Sequence, residues 1–256
     1  MRLVRANERL FYGILGFIVI GLIWEAAGDL GLYRKSLLST PSLVWTAAVQ
    51  DFGSGAIWPD LGTSFVEFAL GFGAAMVVGI PLGIAIGMFR RVDHFVSLLL
   101  FGIYSTPKAA IAPLIILTAG IGLESKVILV FLLAFFSVIV STVAGVRSVA
   151  ERHLDIAHSF GASRWLQFRS VILPSTFPFI LTGTRIATGR ALVGVIVAEE
   201  LAANQGIGHY IELYGAFLQT SRVMLGIVLL GLFGIILGEG VRRIEKRYEV
   251  WRQEIH

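Results

Sequence analysis

Few residues in this chain have the types and spacing for bond chemistry. Glu199 and Glu200 are adjacent. On a helix they would point about 100° apart, so they cannot converge on one atom as an acid and base pair. His153 and His158 are five residues apart, a poor spacing for two ligands on one helical face, and there is no cysteine. Disulfides, thiol chemistry and a metal centre are therefore not expected. No Gly-x-x-x-x-Gly-Lys-Ser/Thr loop is present, so the chain has no phosphate cradle of its own for ATP. What remains is charge in an apolar setting. Lys108 and Arg190 fall near the middle of long hydrophobic runs, where a charge is costly enough to signal function by default. Two such cations suit a passage for an anion. Alternatively, either pairs with Glu67 or Glu199, or Lys108 snorkels. Tyr104 and Thr142, with Ser105, Thr106 and Ser141, offer hydroxyls at similar depth, although Ser and Thr often bond their own helix backbone. Arg185 lies nearer the end of its run and reads as an interface anchor.

A second concentration of polar residues lies between Arg147 and Pro174. Arg147, Glu151, Arg152, His153, Asp155, His158, Arg164, Gln167 and Arg169 are too many to sit in hydrocarbon, so the segment must face water. Two short helices are expected there. Asp155 to Phe160 has no helix breaker, Gly161 can take the positive φ that ends a helix, and Ser163 can cap the next. Pro174 is expected to close that second helix before the apolar run that starts at Phe177.

The elements that must hold these residues are set by composition. Of 256 residues, 56% are hydrophobic and 15% charged, against about 25% charged in a soluble domain. The mean hydropathy is +0.81. Six membrane-spanning helices are expected, near Leu10–Ala27, Thr63–Phe89, Phe95–Gly120, Val127–Val146, Phe177–Leu201 and Met224–Val241. The first resembles a signal peptide in layout but is long for one, and it is read as an uncleaved span. A short amphipathic helix should start at Pro41 after Ser39 or Thr40, and another short helix should lie within Gly206 to Thr220. In the second span Gly71, Ala75, Gly79, Gly83 and Gly87 recur every four residues, a ridge that lets another backbone approach closely. Pro81 should kink that span.

Orientation follows from the basic residues. Arg2, Arg5, Arg9, Arg90, Arg91, Arg147, Arg152, Arg164, Arg169, Arg242, Arg243, Lys246, Arg247 and Arg252 fall on one side, and Arg34, Lys35, Lys126 and Arg222 on the other. The positive-inside rule puts the richer side, with both termini and the polar segment, in the cytoplasm. The net charge of +4 is thus explained by topology, and nucleic acid is not needed.

The polar segment resembles the signature loop of ATP-binding cassette (ABC) importer permeases. In that family a Glu-Ala-Ala triplet, three residues, Gly, nine residues and Ile-x-Leu-Pro follow in order. Here Asp155, Ile156 and Ala157 stand for the triplet, then Gly161, then Val171, Ile172, Leu173 and Pro174, with the spacing kept throughout. Asp155, Ile156 and Val171 depart in residue type. Leu38, Ser39, Thr40, Pro41, Ser42 and Val44, and Pro107, Lys108, Ala112, Pro113 and Leu114 followed by Gly120, Ile121, Gly122, Ser125 and Lys126, resemble the nitrate, sulfonate and taurine branch.

The resemblance implies an all-α integral membrane protein of the type I ABC importer permease fold. Residues 1–256 would be a single transmembrane domain, with a cytoplasmic coupling loop at 147–176. It implies that Asp155, Ala157, Phe160, Gly161, Ala162, Ser163, Arg164, Trp165, Leu173 and Pro174 meet a separate ATPase subunit. That subunit would bind ATP and Mg²⁺, and this chain would hold no cofactor. An external solute-binding protein, a permease homodimer and a multi-pass place in the bacterial inner membrane are also implied. The expected cargo is a small anion such as nitrate, taurine or another sulfonate. An aromatic acid or a vitamin precursor, such as the thiamine pyrimidine or riboflavin, is the alternative. A secondary transporter would call for an internal repeat with ionisable relays, and none is clear. An intramembrane enzyme would call for paired catalytic groups at span depth, and none is apparent.

Overall fold

The computed structural model describes residues 2–34, 37–149 and 151–248. Lys35 and Arg252, both counted in the charge asymmetry, lie outside the described residues. Among the described residues every regular element is helical. Five helices are long and apolar enough to cross a membrane: α1 (Arg2–Asp29), α3 (Trp58–Met88), α6 (Leu123–Arg147), α9 (Leu173–Ala202) and α11 (Thr220–Tyr248). Shorter helices lie between them: α2 (Pro41–Ser54), α4 (Arg90–Ser105), α5 (Ala112–Ala119), α7 (Glu151–Ser159), α8 (Arg164–Gln167) and α10 (Ile207–Ala216).

The sixth expected span is not one helix. Between Phe95 and Gly120 the chain runs through α4, breaks at Thr106 and Pro107, makes a 3₁₀ turn over Lys108–Ile111 and continues as α5. The cause is local. The residue before a proline is pushed out of the helical region, and Thr106 has φ −73° and ψ 134°. Broken backbone is tolerated at membrane depth only where protein or a cavity receives its polar groups. Here Thr106 Oγ1 donates to Gly102 O at 3.0 Å and Lys108 Nζ to Tyr104 O at 2.8 Å.

The core is formed where α6 packs against both α3 and α9, and small residues make it possible. A Cβ on Gly71 would stand 2.6 Å from Val130 Cβ, one on Gly83 2.7 Å from Thr142 Cβ, and one on Gly87 2.6 Å from Val146 Cβ. The four-residue ridge of α3 therefore faces α6 along its length. Phe68, Ala75, Val130, Ala134, Val138, Ala187 and Ala191 fill the seam. At the end where α3 begins, α2 and α10 pack with α11 through Val44, Ala47, Ile57, Ile207, Tyr210 and Leu225. Helix α1 leaves Phe11, Phe17, Ile20, Leu22 and Ile23 exposed, a face suited to lipid.

Pro174 does not close a helix. From Arg164 to Ala202 the chain stays helical through a π turn over Phe168–Ile172, with Leu173 N–H donating to Phe168 O. That bond spans five residues instead of four, so the backbone widens by one residue just before Pro174 and the helix runs on past the proline.

Candidate functional site

The Arg147 to Pro174 segment is built as a sharply turned helix pair. Helix α7 ends in the paired bonds of a Schellman turn, with Ala162 N–H donating to Ala157 O at 3.0 Å and Gly161 N–H to His158 O at 2.8 Å. Gly161 takes φ +74°, which glycine adopts without strain. Ser163 caps α8, its Oγ accepting from Leu166 N–H at 3.3 Å, and Gln167 Nε2 reaches back to Ala162 O at 3.0 Å. Ala157 and Ala162 are half-buried inside this turn, whereas Asp155, Gly161, Ser163 and Arg164 are exposed. Phe160 is 88% exposed and Trp165 67%. Trp165 packs one side of its ring near Phe168, with centroids 5.5 Å apart. Leu173 and Pro174 belong instead to the start of α9.

The ionisable residues expected at span depth separate into two groups. Lys108 Nζ lies 4.8 Å from the centre of the Tyr104 ring and 4.7 Å from that of Phe136, and Arg190 lies on the exposed face of α9. Neither pairs with Glu67 or Glu199. Beside this group a cavity of about 510 Å³ runs between α3, α4 and α6, lined by Ile86, Tyr104, Phe136, Ile139, Val140 and Arg147 among others. At its far end Arg147 pairs with Asp93 at 2.7 Å. Thr142 is not brought to this group. It is fully buried, its hydroxyl donates to Val138 O at 2.8 Å, and its Cβ faces Gly83. Arg185 meets Glu245 of α11 at 3.5 Å, which ties α9 to α11.

The partner of Glu67 is Lys126, at 2.7 Å. Lys126 is not an outer-loop residue as its position suggested. Helix α6 begins at Leu123, and Lys126 is only 8% exposed. The second Glu67 oxygen is buried without a hydrogen-bond partner. Glu199, fully buried, accepts from Ser64 Oγ and from Gly208 N–H, each at 2.6 Å. Ser64 Oγ in turn accepts from Ile207 N–H at 2.8 Å, and Asp60 accepts from Gly206 N–H at 2.9 Å. The first N–H groups of α10, which have no partners within their own helix, are thus satisfied by side chains of α3 and α9, with a carboxylate at the positive end of the helix dipole. Nearby, Asp51 bridges Arg222 (Nε to Oδ2, 3.0 Å) and Tyr210 (OH to Oδ2, 2.5 Å). Burial first, and then the bond to Asp51, push the Tyr210 phenol well above its ordinary range, so it remains a protonated donor. The presence of carboxyls in apolar helices was the only sequence signal for this network.

Residues 79–250 match the family model described as the binding-protein-dependent transport system inner membrane component. The chain is 33% identical over 242 residues to the taurine transport system permease protein TauC of Escherichia coli, covering 93% of this chain and 88% of that one. It is 32% identical over 240 residues to the putative aliphatic sulfonates transport permease protein SsuC of Bacillus subtilis, covering 94% and 87%. With the formylaminopyrimidine transport permease protein ThiX of Halalkalibacterium halodurans it shares 28% identity over 240 residues, covering 94% and 95%. Its fold matches a chain of the MetNI methionine ABC transporter in an inward-facing conformation, with a TM-score of 0.59 and 19% identity, over 75% of this chain and 94% of that one.

Proposed function

The chain belongs to the binding-protein-dependent transport system inner membrane component family, and on that premise we propose that it is the permease through which an ATP-driven importer passes a small organic anion. The observation that carries the reading is the polar helix pair at α7 and α8, joined by a hydrogen-bonded turn and a serine cap. Its aromatic side chains stand free at the end of the molecule where α6 finishes and α9 begins. A loop held by a Schellman turn and a serine cap transmits a push instead of absorbing it. The partner that docks there is an ABC ATPase subunit, which holds ATP and Mg²⁺, and Phe160, Trp165, Asp155 and Arg164 are the contact residues. Closure of the ATPases would rock α9 through the continuous helix from Arg164 and alternate the access of the passage.

Because one chain supplies one docking loop and half a passage, the assembly is a homodimer with two ATPases, served from outside by a solute-binding protein. The end bearing α7 and α8 faces the cytoplasm, as do both termini. The similarity to permeases named for taurine and aliphatic sulfonates, together with the cations Lys108 and Arg190, favours a sulfonate cargo. The similarity to a formylaminopyrimidine permease keeps a neutral vitamin precursor as the second reading.

The experiment is uptake into proteoliposomes holding the chain, its ATPase and its binding protein. Labelled taurine, butanesulfonate, nitrate and formylaminopyrimidine are tested with and without ATP. ATP-dependent accumulation of a sulfonate is expected. Accumulation of the pyrimidine alone would move the assignment to the second reading, and failure of the ATPase to bind the chain would remove the importer role.

A further inference from the structure

Lys108 on the broken crossing and Arg190 on α9 both lie at span depth, and among the described residues neither has a carboxylate within ion-pair distance. Both sit at mid-depth. Phe136, whose ring lies beside Lys108 Nζ, is 13 residues into α6, roughly 20 Å along its axis, and Arg190 is 12 residues, roughly 18 Å, from the end of α9. The carboxyls that could have neutralised them are committed elsewhere, Glu67 to Lys126 and Glu199 to Ser64 and Gly208. The ammonium is not loose either. The proline break turns Lys108 back onto Tyr104 O, and the Tyr104 and Phe136 rings flank it. A cation held in place at span depth without a carboxylate partner is costly, and the charge that relieves it is an anion supplied from outside the chain.

The surroundings narrow what that anion is. Tyr104 and Phe136 also line the 510 Å³ cavity, whose wall continues through Ile86, Ile139 and Val140. An occupant with its head on the cations therefore lays its tail on apolar and aromatic surface. At the far end of that cavity Asp93 pairs with Arg147, 11 residues or roughly 16 Å along α6 from Phe136. An ammonium two carbons from a sulfonate cannot reach it.

We propose that Lys108 and Arg190 form an oxoanion-binding station in the passage, taking the sulfonate head of an alkanesulfonate whose tail lies against Tyr104 and Phe136. The station rests on the transport reading above. It prefers a plain alkanesulfonate to one carrying an amine.

The natural absence of cysteine makes the test direct. Lys108→Cys and Arg190→Cys are placed singly in the full complex, and ATP-driven uptake of labelled butanesulfonate is measured. A loss on the order of ten- to a hundred-fold is expected in each, as for a lost charge-assisted contact, with ATPase activity within two-fold of wild type. Modifying Lys108→Cys with an aminoethyl methanethiosulfonate should restore most of the uptake, and the sulfonatoethyl reagent should not. Equal restoration by both, or wild-type uptake in both variants, overturns the station. Should the variants assemble poorly, the wild-type complex still decides. Butanesulfonate should protect Lys108 from acylation, read by mass spectrometry, more strongly than taurine does, and equal acylation with and without it overturns the proposal. A wild-type complex that hydrolyses ATP yet accumulates no sulfonate removes the transport reading itself. Normal wild-type uptake with insensitive variants removes only the station.

Discussion

Lys126 and Glu67 show how much a single buried charge can demand. Their 2.7 Å pair is almost fully enclosed, and removing one partner leaves the other ionised in an apolar seam. Breaking such a pair typically costs about 3–5 kcal/mol, whereas replacing both partners with apolar residues is often neutral. Lys126→Met is therefore expected to lower thermal stability in detergent sharply, and Lys126→Met with Glu67→Met to recover most of the loss. A double variant no better than the single would mean that the pair stabilises through something other than mutual neutralisation. Gly161 makes a different demand. A Cβ there would meet nothing within 4 Å, so only its φ of +74° resists substitution. Gly161→Val should cost about 1–2 kcal/mol locally and abolish ATP-driven uptake by misdirecting α8, while Gly161→Asn, which tolerates positive φ, should keep much of it. Wild-type uptake by the valine variant at normal expression would take this turn out of the mechanism. The two residues also differ in how far the sequence reveals them. Gly161, Ser163 and the spacing to Pro174 act within a few residues of each other, so local rules expose them. Lys126 lies 59 residues from its partner, and its place near the start of a span looked like a loop until the helix was seen to begin three residues earlier.

Between elements, the close approach of α3 to α6 rests on absent side chains. Gly83 faces Thr142, and its Cβ would fall 2.7 Å from Thr142 Cβ and 3.2 Å from Ile139 O. Neither neighbour is the free end of a flexible chain. Gly83→Leu is thus expected to separate the helices, at a cost of about 1–3 kcal/mol or more, seen as a lower midpoint in thermal unfolding. Gly73→Leu on the same helix, where no atom lies within 4 Å, should leave that midpoint unchanged, and equal destabilisation by both would argue against ridge packing. This ridge was legible because period four is visible in the sequence and membrane helices use small residues to pack. The third crossing was misread as continuous for an equally physical reason. Hydropathy averages over Pro107 and does not register that the residue before it must leave the helix. Pro174 erred in the other direction, because a π turn can carry a helix past a proline that would otherwise end one, and no side-chain pattern announces such a turn.

Across the whole molecule, charge is arranged by end. Where α6 finishes and α9 begins, Arg147, Arg152, Arg164 and Arg169 gather around an exposed loop. At the opposite end Lys126 and Arg222 are tied up in ion pairs with Glu67 and Asp51. Burial of Lys126 removes it from the surface and sharpens the asymmetry on which the positive-inside argument relies. The charges differ in how they are held: at one end Arg147 pairs with Asp93 beside the exposed loop, and at the other Lys126 and Arg222 are neutralised by buried carboxylates. That division has an orientation, which the cysteine-free chain allows to be measured. His158→Cys lies on the exposed α7–α8 loop and Phe217→Cys just beyond α10, where Phe217 is 66% exposed. In intact spheroplasts a membrane-impermeant maleimide should label the position at 217 and spare the one at 158, and in inverted vesicles the pattern should reverse. Labelling of the docking loop from outside would place it away from any cytoplasmic ATPase. The push from α7 and α8 along α9 would then have no source, whatever the strength of the sequence likeness.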